Sequence, residues 1–200
     1  MGVPDNAELN AHELLLRLAG RLSDTQLWRF RDWLASGALP VLGRALPRAL
    51  LHDRVGLTAE EHGLLRGLGA DPALTSSVLG IGAVPDPAYT FTSEIADQAA
   101  SGDPVGVVLG ATLRGREGVG EVRCAWRHAP DGRVHRVVLV TAVADQHRLT
   151  GELQRMLRAL GEHEPCVEVV APDFDLPLYH RAALDVSELL CFGAADLATA

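Results

Sequence analysis

Residues 80–89 read GIGAVPDPAY, and the apolar residues on the two sides of this Gly- and Pro-rich segment keep different periods. Upstream they recur every three or four positions, as on one face of a helix; downstream they alternate, as on one face of a strand. Gly interrupts either repeat through its backbone freedom and Pro through its missing N–H. The expected organisation is therefore an all-helical subdomain over 1–80, a linker over 81–88 and an α+β sheet domain over 89–200.

In the first part, NAELNAHELLLRLAGRL spaces Leu9, Leu14, Leu15, Leu18 and Leu22 for a helix. Ser23 stands as an N-cap with Gln26 at the third helical position, the capping-box arrangement. It opens a second helix with Leu27, Phe30, Trp33 and Leu34 on its apolar stripe and Gly37 at its end. Pro40 suits the first turn of a third helix, but Pro47 should kink or split it by removing a hydrogen bond and crowding the preceding turn. Thr58 caps a fourth helix that sets Glu60 and Glu61 against its positive end, and a short fifth covers Asp71 to Leu79.

Beyond the linker, Tyr89, Phe91 and Ile95 alternate with Thr90, Thr92 and Glu94. VGVVLGATLR and EVRCAWRHA then read as two strands joined by the loop GREGVG. The spacing of Gly115, Gly118 and Gly120 suggests a phosphate cradle, but no helix follows it, and the hairpin-loop reading is preferred. HRVVLVTAVA is a strand. Asp145 caps an amphipathic helix with Leu149, Leu153, Met156, Leu157 and Leu160 on one side and Gly161 at its close, and CVEVVA is a further strand. A strand, helix and strand of this length make a right-handed crossover and a parallel pair. LPLYHRAALDVSELLCF gives a last helix. The expected fold class is α+β: an N-terminal all-helical subdomain followed by a mixed sheet of about five strands, an antiparallel meander plus one βαβ crossover, with a helix layer packed on one face.

Charge and composition narrow the chemistry. All 18 basic residues are Arg, so neither a phosphate-loop Lys nor a Schiff-base Lys is available. The first seventy positions hold eight acidic and eight basic residues, and the net charge of −8 lies in the acidic remainder, the wrong sign for a nucleic-acid surface. Apolar runs stop at about eight residues, against the roughly 20 that span a bilayer. The opening residues lack the basic cap and apolar stretch of a signal peptide, so a cytoplasmic location without a membrane partner is expected. Cys124, Cys166 and Cys191 are odd in number, widely spaced and set in apolar stretches, which suits buried thiols.

The segment WRHAPDGRVHR at 126–136 concentrates Arg, His and Trp around a turn. APDG favours a type I turn with Pro130 second and Gly132 left-handed, closing a three-residue hairpin with a bulge. That register sets Arg127 opposite His135 and stacks Trp126 against Arg136. The two-residue alternative would oppose Arg127 to Arg136, and like charges face to face are destabilising. Two readings remain: a solvated hairpin end, or an anion or partner contact through Arg127, Arg133 and Arg136.

Other motifs are incomplete. HELLL at 12–16 has Leu16 where a zinc protease needs its second His, and no G-x-S-x-G elbow exists. APDFDLPLYH lies where a parallel strand ends and a helix begins, so Asp173 and Asp175, with Glu168 and His180 near, could face one Mg or Mn ion; the preferred reading is that Asp175 simply caps the helix. In LWRFRDWL, Trp28 and Trp33 sit about 140° apart round the helix. Either both lie at the margins of a wide buried face, or one of them is exposed, and with Arg29 and Arg31 it then has the composition of an interface hot spot.

These absences point to a non-catalytic cytoplasmic regulatory or adaptor protein, without a cofactor, that contacts another protein through Trp28, Arg29, Arg31 and Trp33 or uses them to form a homodimer. The alternative is a small-molecule-binding protein or metal-dependent enzyme with a pocket near Asp173, Asp175 and His180.

Overall fold

The structure, a computed structural model of the chain, describes residues 6–82, 89–93 and 103–194. The chain divides into two units, Met1–Pro87 and Ala88–Ala200. The expected strand positions Glu94 and Ile95, and most of the expected linker, lie outside the described residues.

The first unit contains α1 (Asn6–Arg17), α2 (Asp24–Ala35), α3 (Leu39–His52), α4 (Ala59–Gly67) and α5 (Pro72–Leu79). The Ser23 box forms as expected: its hydroxyl accepts from Gln26 N and the Gln26 side chain reaches back. Thr58 and Glu61 build a second one at α4. Glu61 does double duty, because its other oxygen lies 2.6 Å from Arg21 Nη1 in a nearly buried ion pair. Leu14, Leu15, Leu18, Leu42, Leu46, Leu50 and Leu65 are fully buried and form the interior, while Leu9 is 40% exposed and stands off the buried face.

Pro47 does not split α3, which runs for 14 residues through it. An interior proline costs about 3 kcal/mol. Burial of Leu42, Leu46 and Leu50 on both sides of Pro47 offsets it. Gly43 lies against the carbonyl of Leu68, where a Cβ would stand only 3.0 Å from that oxygen.

The second unit contains β1 (Thr90–Thr92), α6 (Pro104–Leu113), β2 (Val119–His128), β3 (Val134–Ala142), α7 (Gln146–Ala159), β4 (Cys166–Val170), α8 (Leu178–Val186) and β5 (Glu188–Phe192). The five strands make one mixed sheet. β2 pairs antiparallel with β3 on one side; on the other it pairs with β1 near its carboxyl end and with β5 near its amino end. β4 lies parallel to β3, joined to it through α7 as the crossover pattern requires. No helix among the described residues is long and apolar enough to cross a membrane.

Two segments exchange roles relative to the expected strands. VGVVLGATLR is the helix α6, not a strand: Val105, Leu109 and Leu113 are buried four apart, and Val107 is 70% exposed. A short apolar run fits either period, and packing against the sheet selects the helical one. Conversely, the tail of the expected last helix is strand β5, since α8 stops at Val186. The loop GREGVG therefore joins α6 to β2. Helices also cover both faces. α6 and α7 pack on Val122, Val138, Val140, Val167 and Val169, whereas Ala183 of α8 packs on Ala125, Val137, Leu139 and Cys166. Asp145 precedes α7 with φ 54° and makes no side-chain cap bond; a capping side chain ordinarily works from an extended backbone, not a left-handed one. On α7, Leu149, Leu153 and Leu157 are buried and Leu160 is 41% exposed.

Candidate functional site

At the β2–β3 turn Gly132 adopts φ 84°, and Ala129 N donates to Arg133 O at 2.8 Å. The three-residue turn sets Arg127 opposite His135 and Trp126 opposite Arg136. This is the expected register, and Arg136 Cζ lies 4.4 Å from the Trp126 ring centroid, a cation–π contact.

The base of this hairpin is not solvated, however. Arg127 is 2% exposed and Arg136 4%. Arg136 donates to both oxygens of Asp103 at 2.6 and 2.7 Å and to Glu162 Oε1 at 3.3 Å. Burial alone would raise the Asp103 carboxyl, but the Arg136 bonds outweigh it and hold the group below its ordinary value. Burial likewise pulls Arg136 down, and the bonds to Asp103 more than reverse this. Cys124 lies beside this cluster, and burial pushes its thiol up to about 11, as expected of an inert buried cysteine. All three cysteines are free and buried.

Arg127 points elsewhere. Its Nη1 donates to the Tyr179 hydroxyl at 3.2 Å and its Cζ lies 4.7 Å from the Tyr89 ring centroid. Burial drives the Tyr179 phenol well above its usual range. Arg133 is exposed and pairs with Asp131. The three arginines therefore form three separate structural contacts, not one anion site.

On α2, Trp28 and Trp33 are each half-buried and Arg29 is exposed. Arg31 is only 2% exposed, and its Nη2 lies 3.4 Å from Leu15 O. It ties α2 to α1 rather than presenting charge at a surface.

Asp173, Asp175 and His180 do not come together. Both aspartates are exposed, Asp175 with 94% of its side-chain surface free. His180 is buried and its Nε2 lies 2.9 Å from Glu168 Oε2, with both side chains at most 1% exposed. Among the described residues no three His, Cys, Asp or Glu side chains are grouped to hold a metal ion. Nor does Asp175 cap α8, whose start at Pro177 carries no side-chain cap bond.

A cavity of about 150 Å³ lies close by, at the carboxyl ends of β3 and β4. This is where open α/β sheets characteristically receive ligands. Its apolar wall is made by Leu139, Val170, Phe174, Leu176 and Leu184, and its polar wall by Glu121, Arg123 and Thr141. A bulge between Val119 and Val122 takes Glu121 out of the β2–β3 ladder, and Thr141 Oγ1 accepts its amide at 2.7 Å. Bulges re-aim side chains in this way. Arg123 Nε donates to Glu121 Oε2 at 2.7 Å and its Nη1 to Ser187 O at 3.3 Å.

The location was legible in the sequence as the end of a parallel strand, and Phe174 sits between the two aspartates singled out there. Glu121, Arg123 and Thr141 were not legible, because a strand's alternation does not disclose a bulge. Compared with known proteins, the chain matches no family model, no curated protein and no solved structure.

Proposed function

We propose that the protein is a non-catalytic regulatory protein whose C-terminal unit binds a small molecule in the cavity at the ends of β3 and β4. The observation that carries this reading is the cavity's make-up: a continuous apolar wall facing one paired acid and base, the usual composition of a small-molecule site. Glu121, Arg123 and Thr141 are each held by one another or by backbone through part of their bonding groups, which fixes them at the cavity wall. The buried Glu168–His180 pair is not part of the lining. The test is amide chemical-shift mapping of the full chain with a set of small apolar and amphipathic fragments. Shifts concentrated on Leu139, Val170, Phe174 and Leu184, and abolished by Ala171→Trp at the cavity wall, are expected. A fragment set that perturbs none of these residues sinks the reading.

A second reading assigns regulation to protein contact through α2, favoured by the half-buried Trp28 and Trp33 beside exposed Arg29. A partner cross-linked to the wild-type chain should then be lost from a Trp28→Ala/Trp33→Ala variant that melts normally. A partner retained equally by both proteins removes α2 from consideration.

A further inference from the structure

Resting on the reading of this cavity as a small-molecule site, we infer that its ligand is a free apolar α-amino acid, bound through Glu121 and Arg123 with its side chain against Leu139, Val170, Phe174 and Leu184.

The inference comes from what the ion pair leaves unused. Glu121 and Arg123 meet through one oxygen and one nitrogen, Oε2 and Nε, at 2.7 Å. Arg123 Nη1 is taken by Ser187 O. Glu121 Oε1 and Arg123 Nη2 have no hydrogen-bond partner among the described residues. One anionic acceptor and one cationic donor thus stand side by side at the polar wall, on side chains 37% and 28% exposed and so reachable from solvent. A lone carboxylate ligand would meet Arg123 but be repelled by Glu121, and a lone amine would meet the reverse conflict. A ligand carrying an ammonium and a carboxylate on one carbon satisfies both, each through a charge-assisted bond.

The apolar wall sets the remainder of the ligand. An apolar cavity of about 150 Å³ is large enough for benzene, so a cavity of about 150 Å³ suits a branched aliphatic or single-ring side chain. The bulge matters here as well. The Thr141 hydroxyl holds the Glu121 amide, which keeps the carboxylate beside Arg123 before any ligand arrives, and such preorganisation lowers the cost of binding.

The experiment is isothermal titration of the full chain with L-leucine, with 4-methylpentanoate and 3-methylbutylamine as analogues that each lack one charged end, and with toluene as an uncharged probe. Saturable one-to-one binding of L-leucine is expected, with both analogues about tenfold weaker or worse. Glu121→Gln and Arg123→Gln, each confirmed to melt as a folded protein, should each weaken L-leucine binding roughly ten- to a hundredfold. Toluene binding without L-leucine binding overturns the amino-acid assignment and leaves the cavity standing as a ligand site. Binding of neither probe overturns both. L-Leucine affinity left unchanged by the two Gln substitutions also overturns the assignment, because the recognising charges would then lie elsewhere.

Discussion

Arg136 and Asp103 form a two-pronged ion pair, 2.6 and 2.7 Å long, that fastens the start of α6 to strand β3. The same guanidinium covers the Trp126 ring and reaches Glu162 beyond α7. One side chain thereby holds three separate segments of the C-terminal unit, and only 3% of it is exposed.

Replacement of Arg136 by Gln should consequently destabilise this unit, whereas a solvated hairpin end, one of the two sequence readings, would have tolerated it. The expected loss is about 3 kcal/mol, at the lower end for breaking a buried pair, since Asp103 and Glu162 keep 31% and 32% of their side-chain surface. Chemical denaturation followed by fluorescence in a Trp28→Phe/Trp33→Phe background, where Trp126 is the remaining tryptophan, measures it, and Arg133→Gln, at an exposed pair, serves as the near-neutral comparison.

The pair also predicts an acid dependence. Asp103 titrates in the folded protein below its ordinary value of 3.8. A carboxyl depressed by folding stabilises the native state above its unfolded value, and that contribution disappears as pH falls through the folded one. Wild type should be more stable than Asp103→Asn near pH 6, and the gap should close on acidification below about pH 4. A gap that stays constant from pH 6 to pH 3 would contradict the assignment.

Gly106 tests the same clamp sterically. A Cβ on Gly106 would collide with the Asp103 carboxylate, whereas one on Gly110, a turn later in α6, would meet nothing within 4 Å. Gly-to-Ala exchange in a helix ordinarily stabilises by about 0.5–1 kcal/mol. Gly110→Ala should show that gain, and Gly106→Ala should instead lower the melting temperature. The opposite signs for one substitution in one helix separate packing from propensity.

Glu168 and His180 join β4 to α8 in full burial. His180→Leu leaves a carboxyl group buried beside an apolar side chain and should cost about 3–5 kcal/mol. The double variant Glu168→Leu/His180→Leu removes both polar groups and should recover most of that loss. Urea midpoints of the wild type, both single variants and the double variant complete the cycle.

The exposed aspartates make the contrasting case. Asp173→Ala/Asp175→Ala should change stability by less than about 0.5 kcal/mol, and added Mg or Mn should shift the melting temperature of neither protein. A metal-dependent shift present only in the wild type would restore the carboxylate site suggested by the D-x-D spacing.

Features that depend on neighbours a few residues apart were readable from the amino acids themselves. Ser23 with Gln26, Thr58 ahead of α4, Gly37 and Gly161 at helix ends, and the turn at Pro130–Gly132 all rest on local backbone chemistry that needs no partner. The turn even carried the Trp126–Arg136 contact with it, because loop length sets register and register sets cross-strand pairs. The α+β class, the parallel β3–β4 pair and the change of texture after Leu79 came from the period of long apolar patterns.

Tertiary structure decided the rest. PVGVVLGATL becomes α6 and ELLCF becomes β5, because a run of ten or fewer apolar residues satisfies either period until a surface offers it a groove or a strand edge. Arg31, Arg127 and Arg136 are buried, since an arginine enters a core only where distant carboxylates, carbonyls or rings meet it. His180 joined Glu168 instead of Asp173 and Asp175, and the cavity gathered Glu121 and Arg123 from β2 with Thr141 from β3 and Leu184 from α8. Local sequence determines which elements can form and how they end; which charges are buried, and which side chains share a site, follows from contacts between residues far apart in the chain.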